Sequence, residues 1–391
     1  MQITICGGGN AAHALAGLIA SRREYTVNVY APYGDEAEQW RKGIEARGGI
    51  ALVSHDGSTQ MGRPERVSGN PDDVVPGSRV VLLSLPAFAH QTTFSDIAPY
   101  VEEGAWVGAL PARGGLDWCG SSLIEFEGKS VVVFGLQTLP WACRIREYGQ
   151  EVAILGTKTE VDLAAWPSHY VVEVAEVLSD LVCVPMRPIS SFLSLTLANT
   201  GQLIHPGVMY GLFRDWDGQL YAEAPLFYQG VDASTADILQ QLSDEIQSLR
   251  ALLEERYPGL DLSAVQPLHD WLQRAYGEEI DDCSSLQICF VTNRGYAGLQ
   301  APMRASDEGL VPDYHSRYLS EDVPYGLLVA RGIAELADLP TPMIDKVITW
   351  AQAHMGREYL VDGKLQECNP SISRAPQCYG LRSLDDIACI A

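Results

Sequence analysis

The segment 2–22 restricts the fold of this chain more than any other stretch. Residues 2–6 alternate and are rich in β-branched side chains, which predicts a strand, and residues 10–21 have the alanine content and apolar spacing of a helix. Three consecutive glycines separate the two elements. A strand, a glycine turn and a helix in this order are typical of a parallel α/β sheet whose first turn binds a dinucleotide.

Small residues in this turn follow the pattern G-x-G-x-x-A, which predicts a role for each of them. Gly7 makes the tight turn, Gly9 lets the backbone approach a pyrophosphate, and Ala12 lets the helix pack closely on the strand. Asn10 belongs to the same predicted cofactor site, at the helix N-terminus that favours anions. A structural turn without a ligand is the alternative. A second strand, predicted over 26–31, favours the dinucleotide site.

Charged residues after that second strand indicate which dinucleotide is bound. NAD-binding proteins usually place an acid near the end of this strand, against the ribose 2′-hydroxyl. Here the strand ends near Ala31, the next acids are Asp35 and Glu36, and no Lys or Arg lies within 27–39. The sequence therefore predicts NAD(H), with Asp35 as a contact, over NADP(H), whose 2′-phosphate would lack a cationic partner. Both acids also fit the first turn of a helix, stabilised by its dipole.

Further apolar segments predict the rest of a sheet. Residues 79–84, 106–110 and 130–134 are continuous and apolar, which is typical of parallel strands buried on both faces. Shorter segments at 152–155 and 181–184 predict edge strands. Ligands collect at the carboxyl ends of such strands. The residues that follow the predicted strands there are Pro86, Ala87, Arg113, Gln137 and Thr138.

From Ser190 onward the pattern becomes helical. Helices are predicted over 190–204, 232–257, 262–276, 324–337 and 343–356. We therefore predict an α/β Rossmann-like N-terminal domain over residues 1–190, followed by an all-α C-terminal domain over residues 191–391.

Charge and cysteine usage restrict the partners. With 27 Lys and Arg against 50 Asp and Glu, the formal net charge is −23, which argues against nucleic acid and anionic membranes as partners. The nine cysteines show no zinc-type spacing, which predicts free thiols and no metal. Neither a leader before the first strand nor a long apolar segment is present, so we expect a cytoplasmic protein.

Seven phrases spread over nearly the whole chain resemble the opine dehydrogenases of marine invertebrates, octopine dehydrogenase most closely. The phrases are CGGGNAAH (6–13), SLPAFAH (84–90), TLPWACRIREYG (138–149), IHPG (204–207), EAPLFYQG (223–230), RYLSEDVPYG (317–326) and REYLVDG (357–363). The resemblance implies a monomer that uses NADH to condense pyruvate with an amino acid through an imine, regenerating NAD in anaerobic glycolysis. A 2-keto acid reductase that makes a hydroxy acid and a nucleotide sensor without turnover remain the alternatives.

The resemblance also assigns three catalytic residues, His205, Arg317 and Asp322. Judged alone, His205 before Pro206 is predicted at a helix end, where a histidine is more often structural, and Arg317 with Asp322 is typical of a surface ion pair. The chemistry nevertheless fits these residue types. A histidine can act as base and then as acid, an aspartate can fix its tautomer, and an arginine can hold a keto-acid carboxylate.

The predicted substrate set extends beyond these three residues. Trp271 matches a family position that contacts the amine, although a packed helix aromatic explains it equally well. Asn199, near the catalytic histidine, and Cys143, in the phrase WACRIREYG, are also predicted to bind the substrate. Arg144 in the same phrase is a further candidate, although a solvated surface residue is its default interpretation.

Two departures from the arginine-using relatives concern the amine. Gln137 stands where those relatives carry a glutamate, and Arg113 stands where they carry a glutamine. Both changes disfavour a guanidinium and favour a small amine substrate: taurine, β-alanine, alanine or glycine. Arginine remains the alternative, and Gly201, in place of a bulkier residue, leaves the size of the site open.

Overall fold

The computed structural model describes residues 1–124, 128–366 and 369–390. The chain divides into two compact units, Met1–Leu195 and Thr196–Cys389. The elements before residue 190 are β1 (Gln2–Cys6), α1 (Asn10–Ile19), β2 (Thr26–Tyr30), α2 (Glu36–Arg47), β3 (Ile50–Val53), β4 (Thr59–Gly62), β5 (Arg66–Ser68), β6 (Val80–Leu83), α3 (Ala87–Ile97), β7 (Trp106–Ala109), α4 (Leu116–Ile124), β8 (Val132–Leu136), β9 (Trp141–Glu147), β10 (Glu151–Thr157), β11 (Val161–Trp166), α5 (Val171–Val182) and β12 (Met186–Pro188).

The first unit is built on an eight-stranded sheet with the order β12-β11-β8-β7-β6-β1-β2-β5. The strands from β8 to β5 in this order are parallel, and β11 is antiparallel to β8. Strand β6 is buried along its whole length, as a strand covered on both faces must be. Cys6 aligns with Leu83, and Leu83 with Ala109, so the loops that follow β1, β6 and β7 leave the sheet at one edge.

Two predictions about edge strands differ from the structure, which contains a second sheet of four strands with the order β4-β3-β10-β9. The predicted edge strand 152–155 is a strand, but it is β10, an inner strand of this second sheet that pairs with both β3 and β9. The predicted strand 181–184 is wrong, because helix α5 continues to Val182. Its buried residues Val174, Leu178 and Leu181 recur at helical spacing, and a run of four apolar residues fits either pattern when it is considered alone.

The second unit is mainly helical, which confirms the predicted fold class. Two short antiparallel hairpins, β13–β14 and β15–β16, are added to the helices. The elements after residue 190 are α6 (Phe192–Leu197), α7 (Gly201–Phe213), α8 (Ala233–Arg256), α9 (Leu268–Tyr276), α10 (Leu286–Thr292), β13 (Met303–Ser306), β14 (Gly309–Pro312), α11 (Arg317–Ser320), a π-helical turn (Val323–Leu327), α12 (Leu328–Leu336), α13 (Pro342–Met355), β15 (Leu360–Val361), β16 (Lys364–Leu365) and α14 (Leu384–Ile390).

The predicted helix 190–204 is divided into α6 and α7. Helix α7 runs on to Phe213 and contains Pro206, so the prediction of His205 at a helix end is wrong. Proline usually breaks a helix because its ring removes one backbone donor and crowds the preceding turn. Here both faces of the helix are packed, since Leu203, Pro206 and Val208 are all buried, and this packing holds the proline within the helix.

Within residues 1–124, 128–366 and 369–390, no helix combines the length and the apolar character that crossing a bilayer requires. The same residues contain no group of three or more His, Cys, Asp or Glu side chains placed to hold a metal ion.

Candidate active site

The glycine turn after β1 has the backbone that a dinucleotide turn requires. Gly7 has a φ of +130°, and a Cβ at this position would lie 2.6 Å from the Ser84 carbonyl oxygen, so both conformation and space exclude a side chain. Its N–H donates to the Tyr30 carbonyl at 2.8 Å. Gly9, just before α1, has a φ of −84°, and a Cβ there would meet nothing within 4 Å. Gly7 therefore shapes the turn, and Gly9 keeps an open approach to the helix N-terminus.

The small residue inside α1 and the asparagine at its start serve the fold. Ala12 is fully buried, as close packing of α1 on the sheet requires. The Asn10 side-chain oxygen accepts a hydrogen bond from the Ile145 N–H at 2.8 Å, which ties the helix start to β9. Asn10 therefore lies at the predicted anion site, and its oxygen has a structural partner.

Glu36, and not Asp35, is the acid that lies beside the turn. Asp35 is the exposed N-cap residue of α2 and makes no side-chain capping bond. A Cβ at Gly8 would lie 2.6 Å from the Glu36 Oε2 atom and 2.6 Å from the Tyr148 hydroxyl. That Oε2 atom is buried and has no hydrogen-bond partner among the described residues, and burial, followed by the charge of Asp35, raises the pKa of Glu36. A buried acceptor next to an open helix N-terminus fits the ribose hydroxyls and phosphates of NAD(H).

His13 holds the turn from behind. Its Nδ1 lies 3.0 Å from the Gly9 carbonyl oxygen, and its Nε2 accepts the Gly149 N–H at 2.9 Å. The ring is fully buried and stacks on Trp40 with the ring centroids 3.8 Å apart. Burial lowers the pKa of His13 to about 4. The imidazole is therefore neutral, with its proton on Nδ1, and it joins the glycine turn to the loop between β9 and β10.

We expect this buried neutral histidine to make folding stability depend on pH. The pKa of His13 is lowered to about 4 in the folded chain, against roughly 6.5 in an unfolded one. Stability is complete above the unfolded value and is lost as the pH falls from about 6.5 toward 4, by about 3 kcal/mol in total. Urea unfolding of the wild type and of His13→Gln at pH 7 and pH 4.5 measures the difference. Equal losses in both proteins would show that His13 is not the group responsible.

The loops after β6, β7 and β8 carry the other predicted residues of the first unit. Pro86 and Ala87 form the N-cap and the first residue of α3. Arg113 lies after β7, half-buried, in a left-handed conformation with a φ of +61°. Gln137 and Thr138 follow β8 and are half-buried, and the Gln137 N–H donates to the Asp162 carbonyl at 2.9 Å. The structure thus places these residues at the sheet edge that also carries the glycine turn.

The two β9 candidates are placed differently. Cys143 is 4% exposed, and burial raises the pKa of its thiol. Arg144 is exposed, and its guanidinium donates to the Cys143 carbonyl oxygen at 3.2 Å. Strand β9 belongs to the second sheet, so Cys143 is held in a core, and its neighbour Arg144 faces solvent.

In the second unit, His205 on α7 forms the centre of a polar cluster. Its Nδ1 lies 2.8 Å from Oδ2 of Asp322, a side chain that is only 1% exposed. Its Nε2 lies 3.0 Å from the Tyr228 hydroxyl. The Tyr318 ring stacks on the imidazole, with the ring centroids 4.1 Å apart and an interplanar angle of 12°. Because a carboxylate can only accept, Nδ1 carries the proton and Nε2 accepts from Tyr228 when the ring is neutral.

The pairing of His205 with Asp322 is the histidine–carboxylate arrangement of acid–base sites. The buried carboxylate fixes the tautomer and the orientation of the ring, and it stabilises the imidazolium when a proton arrives. Asp322 lies between α11 and the π-helical turn that begins at Val323. Such turns are found frequently at functional sites, where one extra residue re-aims the chain.

Arg317 pairs with a different acid from the one the sequence indicated. It is the first residue of α11, its side chain is 70% exposed, and it lies 3.7 Å from Oε2 of Glu321. The next residue, Tyr318, stacks on His205. Arg317 is therefore adjacent in sequence to a residue of the cluster. An exposed guanidinium with one loose acidic neighbour is able to bind a carboxylate in bidentate fashion.

Asn199 and Gly201 lie immediately before and at the start of α7. The Asn199 carbonyl accepts the Gln202 N–H at 3.2 Å, so this residue helps to begin the helix that carries His205. The side chain of Asn199 is half-buried. Gly201 is the first residue of the helix and is also half-buried.

Trp271 is connected to the cluster through a series of aromatic rings. It is half-buried on α9 and meets Tyr276 edge to face at 5.9 Å. Tyr276 contacts Tyr296 at 5.0 Å, and Tyr296 stacks on Tyr228 at 4.1 Å. Trp271 therefore belongs to a packed aromatic group that ends at the hydroxyl bonded to His205.

The sequence did not single out Tyr228, Tyr318 or Tyr148. Tyr228 and Tyr318 lie in the phrases EAPLFYQG and RYLSEDVPYG. The neighbouring sequence does not indicate which group the hydroxyl of a tyrosine will bond. In the sequence, Glu36 is one of two adjacent acids at the start of a predicted helix. Its position at the turn depends on how α2 packs.

Comparison with known proteins extends over the whole chain. The family model described as NAD/NADP octopine/nopaline dehydrogenase, alpha-helical domain, matches residues 188–355. Octopine dehydrogenase of Mizuhopecten yessoensis is 38% identical over 99% of this chain and 98% of its own length. Tauropine dehydrogenase of Arabella iricolor is 37% identical over 98% of this chain and 99% of its own.

Solved structures agree with these relatives. The structure of octopine dehydrogenase with NADH and L-arginine has a TM-score of 0.93 at 37% identity, covering 99% of this chain and 97% of that one. A structure of the same enzyme with NADH and pyruvate has a TM-score of 0.89 at 35% identity, covering 99% and 98%. With a glycine turn suited to NAD and a buried histidine–aspartate pair, this chain belongs to the opine dehydrogenase family of NAD-dependent oxidoreductases that act on CH–NH bonds.

Proposed function

We propose that this protein condenses pyruvate with the amine of a small amino acid and reduces the resulting imine with NADH. The observation that carries this proposal is His205, held at 2.8 Å by the buried carboxylate of Asp322. Support also comes from the relatives, since octopine dehydrogenase has been solved with NADH together with pyruvate or L-arginine.

The proposed reaction needs one group that accepts a proton and later returns it. An amino acid arrives as an ammonium ion, so its nitrogen must lose a proton before it attacks the keto carbon. The carbinolamine that forms must then be protonated on its hydroxyl so that it loses water. His205 takes the first proton, Asp322 stabilises the imidazolium, and the same proton is returned to the leaving hydroxyl.

The remaining residues bind and orient the reactants. Arg317 holds the pyruvate carboxylate and turns the keto carbon toward the coenzyme, which gains rate by positioning. Gly7 and Gly9 place the coenzyme phosphates at the N-terminus of α1, and Glu36 accepts from a ribose hydroxyl. NADH, when bound, supplies the hydride that reduces the imine carbon.

The decisive experiment is to measure pyruvate-dependent NADH oxidation with and without an amine. Condensation predicts that the rate requires both substrates and that mass spectrometry finds a secondary amine as the product. A keto-acid reductase would instead oxidise NADH equally fast without an amine and release a hydroxy acid. Failure of every amine to support NADH oxidation would favour a protein that binds the nucleotide without turnover.

We further propose that the amine is small and carries no side-chain cation, with taurine slightly ahead of β-alanine, alanine and glycine. Relatives at 38% and 37% identity include both an octopine and a tauropine dehydrogenase, so overall similarity does not select the amine. Two side chains support a small amine without a cation. Burying a guanidinium against neutral Gln137 and cationic Arg113 would cost several kcal/mol, whereas a sulfonate offers three acceptor oxygens to Arg113.

Initial rates with the four small amines and with arginine, at fixed pyruvate and NADH, test this preference. We expect the small amines to react faster, and we expect Arg113→Gln to lose taurine turnover while it keeps alanine turnover. The matched control is Arg144→Gln, which removes an exposed arginine of β9 and should change neither rate. Faster turnover with arginine than with all four small amines would contradict the charge argument and indicate an octopine dehydrogenase.

A further inference from the structure

Neither ring nitrogen of His205 is open to a substrate. Nδ1 is bonded to Asp322, which is 1% exposed, so this nitrogen faces the protein interior. Nε2 is 3.0 Å from the Tyr228 hydroxyl, and Tyr228 is itself only 8% exposed. Any proton that reaches or leaves the imidazole through Nε2 therefore meets the Tyr228 hydroxyl first.

The Tyr228 ring is locked in this position by packing. It stacks on Tyr296 with the ring centroids 4.1 Å apart and an interplanar angle of 16°. It also lies parallel to Phe290, with the centroids 6.4 Å apart, and Phe227 meets it edge to face at a centroid distance of 4.8 Å. Stacks of this kind contribute about 0.5–1.5 kcal/mol for each pair beyond simple burial. Moving the hydroxyl away from His205 would disturb all three contacts, so a substrate cannot easily displace it.

A second tyrosine contacts the same imidazole and is more exposed than Tyr228. Tyr318 is half-buried, and its ring stacks on His205. Burial, followed by the neighbouring Tyr318, raises the pKa of Tyr228. Tyr228 therefore stays protonated, and it is able to pass a proton only by accepting one as it donates another.

We propose that Tyr228 is the proton relay of this active site, carrying each proton between Nε2 of His205 and the reactants, with Tyr318 as the next hydroxyl toward solvent. This role rests on the proposed acid–base function of His205. When the ammonium ion loses its proton, the proton joins the Tyr228 oxygen while the phenolic proton moves to Nε2. The reverse shift delivers a proton to the carbinolamine hydroxyl, which leaves as water.

The overall reaction gives this relay a second use. Condensing an ammonium ion with a keto acid and reducing the imine to a secondary ammonium ion consumes one proton more than the amine supplies. That proton has to come from solvent. In this proposal the proton passes from the more exposed Tyr318 to the Tyr228 hydroxyl, and from there to a histidine whose other nitrogen is closed by Asp322.

The test is Tyr228→Phe, which keeps the stacked ring and removes only the hydroxyl. We expect the single-turnover rate to fall about 10²-fold, the lower end of the contribution of an acid–base group, with the Kd for NADH unchanged. In mixtures of H2O and D2O, a plot of the wild-type rate against the deuterium fraction of the solvent should be curved, because several protons move together. The same plot for the variant should be linear, because only one proton then moves.

Tyr296→Phe is the matched control, since Tyr296 is 6% exposed in the same stack but is not bonded to His205. It should keep the wild-type rate and the curved isotope dependence. A wild-type rate in Tyr228→Phe would overturn the relay, and so would equal losses of rate and melting temperature in both variants, which would indicate a packing role. Failure of the proposed function is distinguishable, because the wild type would then show no amine-dependent NADH oxidation.

Discussion

The variant His205→Asn is expected to lose most of its turnover and to keep its affinity for NADH. Positioned acid–base groups typically contribute about 10²–10⁴-fold to rate, and we expect kcat to fall within that range. Asparagine is chosen because its amide is able to donate to Asp322 as Nδ1–H does, so the buried carboxylate keeps a partner. Stopped-flow measurement of the rate, with fluorescence titration of NADH, separates the two effects.

His205→Ala serves as the comparison for this variant. It leaves the Asp322 carboxylate buried without its imidazole partner, which should lower the melting temperature as well as the rate. Loss of turnover in the asparagine variant without loss of stability would assign His205 to chemistry. If NADH affinity fell in step with the rate in both variants, His205 would be a structural residue.

The variant Gly9→Ala is expected to weaken NADH binding without weakening the fold. A methyl group at this position meets no atom within 4 Å, and the φ of −84° suits any residue, so the melting temperature should be unchanged. The same methyl group would occupy the space through which the backbone approaches a pyrophosphate. We expect the Kd for NADH to rise on the order of 10- to 100-fold, or about 1.4–2.7 kcal/mol.

Gly7→Ala is the matched control, because it acts on the fold before it acts on the ligand. Its φ of +130° is unfavourable for alanine, and the Cβ would lie 2.6 Å from the Ser84 oxygen. Strain of this kind costs about 1–3 kcal/mol, which should appear as a lower melting temperature. Wild-type NADH affinity in a folded Gly9→Ala protein would show that the coenzyme does not bind at this turn.

Local features of the first unit could be predicted because they depend on short-range physics. A glycine with positive φ, a β-branched alternating strand and an alanine-rich helix each restrict their own backbone. The elements β1 and α1 therefore lie within two residues of the predicted bounds, and the glycine turn has the predicted conformation. The family could also be identified from the sequence, because its phrases are spread over nearly the whole chain.

Predictions that failed share a different cause. The four apolar residues at 181–184 fit a strand or a helix, and only their packing as part of α5 decided between the two. Residues 152–155 form a strand as predicted, but which sheet they join depends on pairing with β3 and β9, which lie far away in the chain. Pro206 suggested a helix end, and tertiary packing kept it inside α7.

The chemistry of the site was determined partly by sequence and partly by folding. The resemblance, supported by the chemistry of the residue types, indicated His205, Asp322 and Arg317 as candidates. Only the tertiary structure brought Asp322 to Nδ1 of His205 across 117 residues of chain, left Arg317 beside Glu321, and set the Tyr228 hydroxyl on Nε2. A side chain carries its chemistry wherever it lies, so the candidate residue types could be identified from the sequence. Its partner, its burial and therefore its protonation state depend on residues distant in sequence, so the contact between Tyr228 and His205 could not be predicted.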